Sequence, residues 1–139
     1  NHSTDIKLAG LLDLEGIEKR TETIFIGGPV ERSAIMLLVR SETPPVMSEK
    51  IIGDVYLSSD RTLLEQYIAG PDGDENFRLY SGYSGWAAGQ LEFEIERGSW
   101  YLFKADPETV FSRHPSKVWE QWIARTNLRF ARNNSFITH

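Results

Sequence analysis

Leu8, Leu11 and Leu12 fall on one face of a segment from about Lys7 to Glu15, with Gly16 just beyond as a stop, which predicts a short amphipathic helix. "TIFIGG" and "SAIMLLVR" are rich in β-branched and apolar residues and are separated by the turn residues of "GGPVER", so they predict two strands. The prolines of "ETPPVMSEK" predict a loop, and "DVYLSS" a short strand. From Asp60 to Ala69 the pattern is clearly helical: Ser58 or Ser59 offers an N-cap, an acid sits in the first turn, Leu63, Leu64, Tyr67 and Ile68 share a face, and Gly70-Pro71 ends it. "FRLYSG" predicts a strand. From about Ala87 to Arg97, Leu91, Phe93 and Ile95 alternate with Glu92, Glu94 and Glu96 in the period of a strand, but the length and Gly98 as a C-cap favour a helix. "SWYLFKA" predicts another strand, and Asp106-Pro107 opens a short helix as N-cap and first helical residue. A last helix begins near Pro115 and is expected to bury Val118, Trp119, Trp122 and Ile123. Strands and helices mix without a βαβ rhythm, so the predicted fold is α+β: one domain over residues 1–139, with a mixed or largely antiparallel sheet flanked by helices.

Composition narrows the function classes. The 139 residues are 40% hydrophobic and 25% charged, as in an average globular protein, and are enough for one core. No apolar run approaches the roughly 20 residues of a membrane span, and the polar start "NHSTDIK" is no secretion signal. A cytoplasmic protein with no membrane association is the expectation. The lack of cysteine removes disulfides, thiolate nucleophiles and thiolate metal sites. The net charge of −5 argues against a non-specific nucleic-acid binder, since such binding needs Lys and Arg on phosphates. The sign is uneven: from Lys117 onward Lys117, Arg125, Arg129 and Arg132 face only Glu120, leaving −8 on residues 1–116. A solvated helix face is the expected use of that basic tail, and direct nucleic-acid binding is not expected.

The chemical candidates are few. Gly82-Tyr83-Ser84-Gly85-Trp86 sits where a nucleophile elbow would place its serine, and Asp106 and His114 follow in the order that hydrolases of this kind use. Trp86 breaks the pattern, because its bulk is wrong where strand and helix must pack closely. A hydrolase using Ser84, His114 and Asp106 is therefore the alternative reading, and no catalytic residue is assigned. "DGDEN" imitates a calcium loop through Asp72, Asp74 and Asn76, but Phe77 stands at the glycine position and Tyr83 at the glutamate position. His2, His114 and His139 have no ligand spacing, so neither metal nor cofactor is expected. "FIGGPVER" lacks the lysine of a phosphate loop and the third glycine of a dinucleotide fold, and reads as a tight connection. Trp86, Trp100, Trp119 and Trp122 could stack bases, but their spacing suits a core.

"FIGGPV", "YSGYSGWAAGQLEFEI" and "WYLFKADPETVF" together resemble the bacterial YqgE/AlgH family, and the likeness runs from "NHSTDIKLAGLL" to the Trp119 helix. The resemblance implies an α+β domain of the bacterial cytoplasm, in a family labelled as transcriptional regulators without an established activity. Ser84 stands where that family usually has alanine, which counts against Ser84 as a nucleophile. The family also begins with further strands, and this chain starts at the asparagine that closes them; strand edges left bare would be exposed or would pair with another copy. Together the residues and the resemblance predict a non-enzymatic regulatory or interaction domain with a protein partner or a second copy. Its expected contact surface is Gly27, Gly28, Pro29, Gly82, Tyr83, Gly85, Trp86, Gly89 and Gln90. In that surface the glycines turn a strand into a helix, Trp86 fills the space this leaves, and Gln90 satisfies turn backbone groups.

Overall fold

The computed structural model describes residues 3, 4, 17, 20, 22–71, 73 and 75–134, with side chains up to 126. The expected helix at 7–15, His2, His139, and Asp72 and Asp74 of the calcium-like stretch lie outside the described residues. The chain divides into two compact units, one of Asn1–Gly85 with Ala105–Phe111, the other of Trp86–Lys104 with Ser112–His139.

The first unit is built on a five-stranded sheet: β1 (Ile24–Ile26), β2 (Val30–Arg40), β3 (Glu49–Ile52), β4 (Val55–Ser58) and β5 (Phe77–Tyr83), in the order β1-β5-β2-β4-β3. β1 runs parallel to β5, and every other neighbour is antiparallel, so the sheet is mixed as expected. The strand order and one correction bear on the sheet. β1 and β2 follow each other in sequence but do not pair, because β5 lies between them. β3 (Glu49–Ile52) was not expected: it takes Glu49 and Lys50, the last two residues of the predicted proline loop, and turns through Gly53, at φ +57°, to pair with β4. Beyond β1, Ser3 bridges to Phe25, and the Thr4 N–H donates to the Ile24 carbonyl at 2.8 Å.

α1 (Arg61–Ala69) lies against this sheet because Leu63, Leu64 and Ile68 share one face and join Ile24, Leu37, Val39, Tyr56, Phe77 and Leu79 in the core. Nine residues are too few for a stable isolated helix. Burying each of those three side chains contributes about 2 kcal/mol, which decides the matter. The N-cap is Asp60, not Ser58 or Ser59: its carboxylate accepts from the Leu63 N–H at 2.9 Å, while the Ser58 hydroxyl accepts from the Asp60 N–H and donates to the Met47 carbonyl. No acid follows in the first turn. At the other end the Arg20 guanidinium donates to the carbonyls of Gly70 and Tyr67 and pairs with Glu22 at 2.9 Å.

α3 (Pro107–Val110) begins where Asp106-Pro107 predicted, with the Asp106 carboxylate accepting from the Thr109 N–H at 2.8 Å. Two arginines hold it to the sheet. Arg40 bridges Asp54 and Glu108, and Arg78 donates to the Val110 carbonyl at 2.8 Å with its guanidinium over the rings of Phe25 and Phe111.

The second unit contains α2 (Gln90–Glu96) and α4 (Pro115–Asn134). The helical reading of Ala87–Arg97 stands in shortened form: Gly89, at φ +77°, begins the helix, and Gly98, at φ +74°, follows its last turn. The strand expected from "SWYLFKA" is absent; residues 99–106 have no regular structure. An apolar run makes a strand only where a neighbouring chain pairs its backbone, and none does so here. The tryptophans are a further correction. Trp86, Trp100 and Trp119 are exposed, Trp119 to 69%, and Trp122 is half-buried against the Phe103 ring at 4.2 Å. Among the described residues of this unit only Thr126 is buried.

Candidate functional site

Two parts of the expected surface can be built up from their residues, one in each unit. In the first, the ends of β1 and β5 meet at a corner whose backbones touch. A Cβ on Gly27 would lie 2.1 Å from the Gly82 carbonyl oxygen, and one on Gly28 would lie 2.2 Å from the Tyr83 carbonyl. Gly82 itself has φ +69°, and a Cβ there would come within 2.7 Å of the carbonyl oxygens of Gly28 and Val30. Three glycines are therefore required by close backbone approach, which is the physical reason for the double glycine ahead of Pro29. The Gly27 N–H donates to the Ser81 carbonyl at 2.9 Å and fastens the turn. Gly85 is different. A Cβ there would meet only the Tyr83 ring at 3.8 Å, so its backbone makes no such demand.

Beside this corner β2 carries an irregularity that no sequence signal announced. Val30 pairs with Tyr83, but the next pair is Ile35 with Ser81, so the strand bulges between them. Glu31 sits in the bulge at φ +45°, a conformation that non-glycine residues avoid, and the Ser81 hydroxyl donates to the Arg32 carbonyl to hold it. Pro29, Val30, Glu31, Arg32, Ser33, Tyr83 and Ser84 are all exposed along this edge. Asparagine or glycine would have marked the left-handed position; glutamate hides it.

In the second unit Glu94 organises the surface. Its carboxylate accepts from the indole N–H of Trp100 at 2.8 Å, from that of Trp86 at 3.3 Å and from the Gln90 amide at 3.0 Å. The two indoles meet edge to face with centroids 5.8 Å apart. The Trp100 hydrogen bond, followed by that from Gln90, holds the Glu94 carboxyl below its ordinary range, so it is ionised at neutral pH. Gln90 does reach back into the turn as expected: its Oε1 accepts from the Ala87 N–H at 3.1 Å. Trp86 does not fill a space left by the glycines. It is exposed, and its indole is turned to Glu94 and Trp100.

Ser84 is exposed in the first unit and His114 is exposed in the second. Asp106 directs one carboxylate oxygen to the Thr109 N–H and the other to the Thr109 hydroxyl, both at 2.8 Å, which is the work of a helix cap. Buried groups elsewhere are structural: Arg78 clasps α3, and Tyr80, whose hydroxyl is pushed up in pKa by burial against the opposing effect of Arg78, packs on Phe25.

A mixed five-stranded sheet with α1 laid on it, a glycine corner at the ends of β1 and β5, and a separate helical unit define an α+β protein without a recognisable catalytic centre among the described residues. A family model described as AlgH-like (DUF179) matches residues 1–131, and the chain belongs to that family. A UPF0301 protein of Chlamydia felis is 38% identical over 132 residues, covering 94% of this chain and 69% of its own length. One from Chlorobium luteolum is 34% identical over 109 residues, covering 78% of this chain and 58% of its own. The chain thus spans between about three fifths and two thirds of these curated relatives. The solution structure of the AlgH protein from Pseudomonas aeruginosa superposes with a TM-score of 0.75 at 24% identity, over all of this chain and 76% of that one, which supports the fold.

Proposed function

We propose that the chain is a non-enzymatic interaction domain that acts in regulation in the cytoplasm by holding a protein partner at the glycine corner. The observation that carries this reading is the corner itself: backbones locked against each other at Gly27, Gly28 and Gly82, beside a left-handed Glu31, with Pro29, Val30 and Tyr83 exposed on the fixed edge. Strained backbone persists only where its surroundings hold it, and it gathers at working surfaces. A rigid corner with an exposed tyrosine loses little entropy on binding, which favours a contact surface. The indoles of Trp86 and Trp100, fixed by Glu94, are aromatic anchors of the same kind.

The alternative of a Ser84 hydrolase is weakened by the cap that occupies Asp106. The test is a pulldown from a bacterial lysate with the wild-type chain, Tyr83→Ala, Trp86→Ala and Lys50→Ala as a control on a distant exposed site. The expected result is a partner held by the wild type and the control and lost from Tyr83→Ala. A folded Tyr83→Ala that keeps every partner at unchanged occupancy removes the corner from consideration. Hydrolysis of model esters that disappears in Ser84→Ala would restore the enzyme.

A further inference from the structure

The two sides of β2 are not equally filled. On one side β5 pairs with it from Val30 to Val39, across the bulge. On the other, β4 reaches only from Leu37 to Arg40, so residues 30–36 have no strand beside them there among the described residues. Two hydrogen bonds show which way the backbone groups point. The Arg40 N–H donates to the Asn76 carbonyl at 2.7 Å, on the β5 side, and the Ser41 N–H to the Asp54 carbonyl at 2.9 Å, on the β4 side. Successive residues of a strand direct their N–H and C=O groups to opposite sides, so Val39, Leu37 and Ile35 all direct theirs toward β4. Tyr56 and Ser58 stand opposite the first two, and β4 then stops.

The chain does not continue that ladder past Ser58. In register, Asp60 would stand opposite Ile35. Its N–H is held by the Ser58 hydroxyl and its carbonyl accepts from the Leu64 N–H at 3.1 Å, so both groups are committed to the start of α1. The Ile35 N–H and carbonyl therefore face a strand position that no described strand fills. Glu31, Arg32 and Ser33 are exposed beyond it, and the empty position runs on to the glycine corner. The outer edges of the sheet differ. Ser3 and Thr4 lie on β1, while β3 is four residues long, shifted in register and carries Lys50, features that discourage strand addition.

We infer that β2 takes an added strand from its partner: an extended segment of a second protein, antiparallel to β2 and in line with β4, that exchanges both backbone hydrogen bonds with Ile35. The position is bounded by Ser58 at one end and the corner at the other, so it takes a segment of about five residues, an ordinary strand length. The Ile35 side chain packs on the core beneath α1, and directly opposed residues share a face, so the segment carries an apolar side chain at that point. This rests on the corner as the contact surface and states how that surface holds its partner.

The experiment uses the isotope-labelled full chain and short random peptides displayed on phage. In the free chain the Ile35 amide should exchange with solvent at least about tenfold faster than those of Leu37 and Val39, which β4 covers. Selected peptides should alternate apolar and polar residues and protect the Ile35 amide. Methylating peptide nitrogens on every second residue should weaken binding roughly tenfold or more in one phase and little in the other, as a one-sided ladder requires. An Ile35 amide as protected in the free chain as that of Leu37 overturns the inference, as does a selection that yields no binder or binders that leave Ile35 unprotected. Protection that grows with the concentration of the chain itself also overturns it, since the occupant is then a second copy. Partner capture that is lost from Tyr83→Ala yet unaffected by saturating peptide leaves the corner standing and refutes the added strand, so the two readings fail separately.

Discussion

Replacing Gly28 by alanine isolates the close backbone approach on which the corner depends. The new Cβ would stand 2.2 Å from the Tyr83 carbonyl carbon and oxygen and 2.4 Å from the Ser84 nitrogen, all of them backbone atoms that no rotamer change can withdraw. Ordinary carbon contacts begin near 3.5 Å, so β1 and β5 would have to separate by about 1 Å at their ends. Overpacking of this kind costs about 1–3 kcal/mol and rises when the obstruction is main chain. We expect about 3 kcal/mol for Gly28→Ala, a fall in Tm of about 10 °C for a chain of this size. Two other glycines calibrate it. Gly89→Ala meets no atom within 4 Å and bears only the strain of φ +77°, about 1 kcal/mol. Gly85→Ala has neither obstruction nor positive φ and should stay within about 0.5 kcal/mol of the wild type. Thermal melting of the three, followed by circular dichroism, checks the order. If Gly28→Ala melts within a degree or two of Gly85→Ala, the corner is not closed as described, and the rigidity argued for it is wrong.

Asp60→Ala should cost about 1 kcal/mol in urea unfolding, because the Leu63 N–H loses its cap, whereas Ser59→Ala should cost almost nothing. Arg78→Leu should cost about 2–3 kcal/mol, since the Val110 carbonyl loses a charged donor and two rings lose their cation; a change under 0.5 kcal/mol would show that α3 is held by other contacts. Glu94 has its folded pKa below the ordinary 4.5, so its contribution is complete above about pH 4.5 and is lost as pH falls through the lower folded value. The Trp100 indole proton should therefore titrate by NMR with a midpoint below 4.5, and a midpoint at or above it would refute the shared carboxylate.

Where periodicity and caps acted locally, the sequence was legible. α1 was visible from Leu63, Leu64 and Ile68, α3 from Asp106-Pro107, and β5 from its apolar run, because each is decided within its own few residues. β3 was hidden by its brevity and by the prolines just before it. The insertion of β5 between β1 and β2 was hidden because strand partners are chosen across long stretches of chain. "SWYLFKA" misled because apolar content measures what can be buried, not what has a backbone partner. Trp86, Trp100 and Trp119 misled for the same reason: tryptophan is usually core, and these are exposed. At the corner, Gly27, Gly28 and Gly82, which the expected surface grouped, lie against one another, though the double glycine ahead of Pro29 read only as a tight connection. Glu31 and Glu94 were missed, one because glutamate gives no hint of φ +45°, the other because a shared carboxylate needs three side chains to converge.

The strand order has a consequence for how the chain comes off the ribosome. β2, β4 and β3 form a local antiparallel set, whereas the middle of the sheet waits for β5, whose Leu79 pairs with Ile24 from 55 positions earlier in the chain. Until Phe77–Tyr83 emerges, one edge of Ile35–Val39 stays open, an apolar strand of the kind that recruits other chains. β1, three residues long with β5 as its neighbour in the sheet, has no place to settle in that interval. The seven residues of β5 therefore cover that apolar edge and, at their far end, complete the glycine corner, so a newly made chain closes the edge and gains its candidate contact surface in one event.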